Sequence, residues 1–97
     1  MPAYITLANF TDQGVRNVKG TVERTQAIKK AAEAAGARVI GVWWTLGQYD
    51  IVLIAEAPND EVATRLLLAT AMQGNTRSAT LRAFSEEEMA RIVKGLP

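Results

Sequence analysis

Two β-rich runs, Arg38–Leu46 and Tyr49–Glu56, are separated only by Gly47-Gln48. A two-residue connection with glycine first suits a type II′ turn, so the runs predict an antiparallel hairpin with a fixed register. In that register Leu46 lies opposite Tyr49, Trp44 opposite Ile51 and Val42 opposite Leu53, a wholly apolar face. The reverse face sets Val39, Gly41, Trp43 and Thr45 against Asp50, Val52, Ile54 and Glu56, and is mixed.

The flanking segments alternate between period-two and helical patterns. Tyr4–Phe10 reads as a strand, and Thr11–Gly20 as a loop with one helical turn around Val15–Lys19. Thr21 is placed to cap a helix over Val22–Ala35 that stops at Gly36. Pro58-Asn59-Asp60-Glu61 starts a helix that runs to Gln73 and ends at Gly74, with acids where the helix dipole favours them. Thr76–Phe84 reads as a fourth strand. Ser85 and Glu88 then form a capping box for a short helix with a Met89, Ile92, Val93 stripe.

The order β-α-β-β-α-β-α predicts an α+β, ferredoxin-like βαββαβ domain over residues 1–97, with an extra C-terminal helix. Two helices cover one face of a four-stranded antiparallel sheet. The face expected under them is Ile5, Leu7, Val42, Trp44, Tyr49, Ile51, Leu53, Ala79 and Leu81. The other face would hold Phe10, Trp43, Val52, Ile54 and Phe84, more apolar surface than a lone soluble chain tolerates. Self-association through that face is expected, as a homodimer or higher homo-oligomer; two sheets related by a two-fold axis form a dimeric α/β barrel.

Composition narrows the chemistry. The 97 residues contain no cysteine and no histidine, which removes disulfides, thiolate or imidazole catalysis, and metal sites built on those ligands. A net charge of +1 argues against nucleic-acid binding. Arg16, Lys19, Arg24, Lys29, Lys30 and Arg38 read as a solvated basic helix face, without interleaved aromatics. No signal-peptide pattern and no apolar run near 20 residues is present, so a cytoplasmic protein without membrane contact is expected. No cofactor and no metal is expected; a carboxylate-bound cation at Asp50 and Glu56 lacks a loop geometry to hold it.

Asp50 is the one acid–base candidate, placed beside Trp43 and Thr45; the alternative is an aspartate that caps a tight turn. Candidate ligand-binding residues are Tyr4, Thr6, Trp43, Tyr49, Asn75, Arg77 and Arg82. Hydroxyls and guanidinium groups among aromatics suit a cavity with few polar anchors, or a polar oligomer interface. Gly47 and Gly74 are structural, the first in the hairpin turn and the second ending a helix.

Three separated stretches carry a family likeness. Leu46-Gly47-Gln48-Tyr49-Asp50-Ile51-Val52-Leu53 with Glu56-Ala57-Pro58 resembles the signature of the GYD domain family. Gly74-Asn75-Thr76-Arg77 leading to Leu81-Arg82-Ala83-Phe84 resembles its second signature, as does Thr11-Asp12-Gln13-Gly14 with Arg24 following. The resemblance implies the dimeric α/β-barrel type of ferredoxin-like domain and leaves the biochemical role undefined. More distantly the hairpin is similar to the effector-binding domain of feast/famine regulators, without their helix-turn-helix. The expected function is a small-molecule binding or sensor module at the subunit interface. The alternatives are a cofactor-independent enzyme of monooxygenase or isomerase class, with Asp50 as base and Arg82 or Tyr4 orienting substrate, or a structural assembly unit.

Overall fold

A computed structural model describes residues 1–97. In chain order the elements are β1 (Ala3–Phe10), α1 (Asp12–Arg16), a 3-10 turn (Val18–Gly20), α2 (Thr21–Ala34), β2 (Arg38–Trp44), β3 (Ile51–Glu56), α3 (Asp60–Ala71), β4 (Thr76–Ala83) and α4 (Glu86–Lys94). The sheet runs β2-β3-β1-β4 with every neighbouring pair antiparallel. This is the expected α+β ferredoxin-like arrangement, with the extra helix at the C-terminal end.

Local chemistry sets most of the boundaries. Asn59 caps α3, its Oδ1 accepting from Val62 N at 2.9 Å, with Asp60 and Glu61 in the first turn. Ser85 and Glu88 exchange both hydrogen bonds of a capping box at the start of α4. Thr21 opens α2 rather than capping it; the preceding 3-10 turn moves the cap to Gly20, which has no side chain to offer. Gly47 and Gly74 take φ of +108° and +80°, which a side chain would resist. The ladder of the hairpin ends at the Trp44–Ile51 pair, and Thr45 N donates to Asp50 O at 2.8 Å just beyond it. The expected Leu46–Tyr49 pair and its two-residue turn do not form, and Leu46 stands fully exposed instead of under the helices.

The hairpin register is the one expected, with Trp44 opposite Ile51 and Val42 opposite Leu53 on the helix side. On β1 and β4 the faces are reversed. Tyr4, Thr6 and Ala8 are buried beneath the helices, with Tyr4 bonded to Asp60 of α3. Ile5, Leu7, Ala79 and Leu81 lie on the open face, in register with Val52 and Ile54. A bulge between Val39 and Gly41 also turns Val39 inward, opposite Ala55. Phe10 falls on the helix side of β1, and Phe84 lies just beyond β4.

The core explains this choice. It consists of Tyr4, Ala32, Ala37, Ala57 and Ala63, with Val39, Val62 and Leu66 packed against it. Alanines on α2 and α3 let the helices approach the sheet closely. The space left admits Thr6 and Ala8, and the long Tyr4 reaches Asp60 at its edge. No large side chain is fully buried. A 10.5 kDa globular monomer typically exposes about 5,400 Å², whereas this chain exposes 6776 Å². The excess exceeds the roughly 800 Å² that each partner buries in a standard interface. Part of it is α4, which has no buried residue and leaves Met89, Ile92 and Val93 in solvent.

Candidate functional site

The open face of the sheet is an apolar surface that spans all four strands. Trp43 and Leu81 are 50% and 52% exposed, flanking Ile5, Leu7, Val52 and Ile54. The Trp43 indole lies across Gly41, where an added Cβ would come within 2.5 Å of the ring. Glycine there lets the indole lie flat along the sheet.

A second cluster forms where β1 ends. Asp50 Oδ2 accepts from Phe10 N at 2.9 Å, and Asp50 N donates to Ala8 O at 2.9 Å, tying the hairpin turn to β1. Thr45 Oγ1 donates to Tyr49 O at 2.5 Å, closing the turn. Thr11 N donates to Asn75 O at 3.0 Å, and Thr11 Oγ1 to Gly74 O at 2.6 Å. Gln13 Nε2 reaches Gln73 O at 2.8 Å and Asn75 Oδ1 at 3.1 Å. Gly14 packs so closely that a Cβ would lie 2.0 Å from Asn75 O. The Thr11–Gly14 and Gly74–Asn75 stretches thus interlock at one end of the sheet, and the stretch with Tyr49 and Asp50 is tied in there through Ala8 and Phe10 of β1.

At the other end of β1, the Tyr4 hydroxyl donates to Asp60 Oδ1 at 2.5 Å. The Arg82 guanidinium lies 5.9 Å from the Tyr4 ring centre and 4.6 Å from that of Phe84, and pairs with Glu88 at 3.5 Å. The hydrogen bond to Asp60, then burial and the Asp60 charge, push the Tyr4 hydroxyl above its ordinary value, against a smaller opposing effect of Arg82. Folding stability is therefore retained below the usual tyrosine range and lost as pH rises through the raised value. Chemical denaturation from pH 9 upward should show that loss, and Tyr4→Phe should remove its Tyr4 component. Glu88 moves the other way. The Ser85 backbone N–H, and more weakly Arg82, hold its carboxyl below the ordinary range. Its contribution is present above that range and disappears as pH falls through the lowered value. Amide shifts of Ser85 and Glu88 followed by NMR through acid titration should report it, and Glu88→Gln should abolish the step.

The structure divides the residues singled out from the sequence into these three places. Tyr4 and Arg82 are register partners, and Thr6 bonds to Thr80 at 2.9 Å, all on the helix side. Trp43 stands on the open face, and Arg77 shares that parity on β4. Tyr49 and Asn75 belong to the interlocked end with Asp50, roughly 20 Å along β1 from Tyr4 at strand spacing. Asp50 and Glu56 lie at opposite ends of β3, and Glu56 pairs with Arg38 at 2.6 Å. Asp50 thus has its carboxylate engaged by the backbone N–H of Phe10 at the end of β1. A groove of about 520 Å³ between α3 and β4 has Leu67, Leu68 and Ala71 on one wall and Thr76, Ser78 and Thr80 on the other. Sequence reading missed the close approach of Gly14 to Asn75 and the inward turn of Arg24. The only available signal was the glycine-bearing, polar run after β1.

No helix is long and apolar enough to cross a membrane. A relative from Thermus thermophilus, named glutamine synthetase and cystathionine beta-lyase binding protein, is 30% identical over 95 residues. The alignment covers 97% of this chain and all of that protein. The GYD domain family model matches residues 4–93, which takes in all four strands, the helices that cover them and most of α4. With these motifs gathered at one end of a ferredoxin-like sheet, the chain belongs to the GYD domain family.

Proposed function

We propose that the chain is a binding protein that works as a homo-oligomer, its open sheet face closed by a second copy and its remaining surface offered to other proteins. The observation that carries this is the apolar face of Ile5, Leu7, Trp43, Val52, Ile54 and Leu81, on a chain with more exposed area than its mass requires. The class of partner follows the Thermus relative: a metabolic enzyme such as glutamine synthetase or cystathionine beta-lyase. Any small molecule held between two copies would meet Trp43 as a wall and Arg77 as a cation without an ion-pair partner.

Size-exclusion of the purified chain mixed with each of these enzymes from its own organism tests the reading. Co-elution with either one supports it. Separate elution of both, at concentrations above ten micromolar, overturns the partner assignment.

A further inference from the structure

Helix α4 is amphipathic and has nothing packed on its apolar side. Met89, Ile92 and Val93 share that side at helical spacing, with Leu96 just past the helix end, and each is 44% exposed or more. None of its 9 residues is buried, and a helix that short does not persist in water without a packed face. The helix projects from the fold. The radius of gyration is 14.7 Å, against about 12.5 Å for a compact chain of this length.

The start of α4 is fixed at the end of β4. Glu88 pairs with Arg82 and closes the capping box with Ser85, and Arg82 lies over the Phe84 ring. The groove between α3 and β4 lies at the other end of that strand, beside Thr76, Ser78 and Thr80. Its apolar wall is open: Leu68 is 61% exposed, and Met72, one helical turn further on, is 86% exposed. The chain therefore carries a convex apolar stripe and a concave apolar wall that do not meet. Their charges match as well. Glu87 and Glu88 are paired within the chain, but Glu86, three residues before Met89 on the same side of α4, has no ion pair. Arg77, which lines the groove, has none either.

We propose that α4 of a second copy seats its stripe in this groove, with Ile92 and Val93 against Leu68 and Ala71 of the partner subunit and Glu86 beside Arg77 of the partner subunit. The contact is reciprocal, so a two-fold pair exchanges both helices. It rests on the homo-oligomer proposed above: four side chains make less than a standard interface, and closure of the sheet holds the copies together.

The chain has no cysteine, so single thiols can be placed in it. Full-length chains carrying Ile92→Cys and Leu68→Cys, one of them with a size tag, are co-expressed and treated with a short bismaleimide. Both positions lie outside the core, so the fold is kept. The tagged–untagged product should exceed that from Ile92→Cys with Leu46→Cys, a fully exposed position in the hairpin loop, by at least about tenfold. A yield no greater than this control, from chains that light scattering shows to be assembled, would overturn the seating of α4 and leave the sheet-face assembly standing. So would a chain carrying both Ile92→Cys and Leu68→Cys that links only within itself, since α4 would then cover its own groove. An unaltered chain of constant 10.5 kDa would overturn both readings.

Discussion

Trp43→Asp is expected to leave the chain as a folded species of 10.5 kDa. Trp43 stands on the open face of the edge strand β2, half exposed in a single copy and opposite Val52, with Leu7 one strand further in. A tryptophan closed into an interface is the residue type that carries binding energy, and a carboxylate there would be desolvated without a partner. Self-association should weaken at least about a hundredfold, which is about 2.7 kcal/mol. The helix-side core does not include Trp43, so far-UV circular dichroism should be unchanged. Leu81→Asp, at the opposite edge of the same face, should act alike, whereas Glu87→Lys on the polar face of α4 should leave the mass as it is. An assembly that survives both face variants would place the interface elsewhere.

Gly14→Ala is expected to produce the largest loss of stability from a single methyl group. The new Cβ would sit 2.0 Å from Asn75 O and 2.9 Å from its carbonyl carbon, both backbone atoms with no freedom to swing aside. Relief requires α1 to back away from the loop before β4. That movement breaks the Thr11 N–Asn75 O and Thr11 Oγ1–Gly74 O bonds together. Overpacking and two lost hydrogen bonds together should cost about 2–4 kcal/mol, a fall in the thermal midpoint on the order of 10 °C or more for a domain this size. Gly95→Ala is the control: its Cβ would meet only Ile92 O, at 3.4 Å, and its φ of −82° suits alanine. Thermal unfolding of the two variants side by side reads the difference. Equal midpoints would mean that the interlock between the Thr11–Gly14 run and the Gly74–Asn75 loop contributes nothing to stability.

Much of the architecture was legible because its signals are local. The Asn59 cap and the Ser85–Glu88 box act within a few residues, and each is found where the sequence places it, whereas the connection at Gly47 is a wider loop than the two-residue turn expected there. The hairpin register is nonetheless the one expected. Which face of β1 points inward was not legible, because both of its faces are apolar enough to be buried. Ile5 and Leu7 are the more hydrophobic pair, yet Tyr4, Thr6 and Ala8 go under the helices. That outcome depends on the alanine surfaces of α2 and α3 and on the Tyr4–Asp60 bond across 56 residues, neither of which has a local signature. The bulge beside Gly41 reversed Val39 for a similar reason: alternation assumes an unbroken ladder.

The candidate site shows the same division. Asp50 was recognisable as either a base or a turn-capping residue, and the structure engages it with Phe10 N. Tyr4, Thr6 and Arg82 were grouped correctly through register, but the group lies under the helices and not on the open face. Arg24 read as one more solvated cation of a basic helix. Its inward turn depends on Asn17, Gly20 and the packing of α2 against the loop before β4. The reversal of β1 and β4 makes the open face more apolar than expected, since Ile5, Leu7 and Leu81 join Trp43, Val52 and Ile54 there.

Light scattering on the eluting peak of the unaltered chain measures whether that face stays wet. We expect a mass that is a whole multiple of 10.5 kDa, held constant on dilution through the micromolar range. A constant 10.5 kDa, with concentration raised into the millimolar range, would contradict closure of the sheet by a second copy.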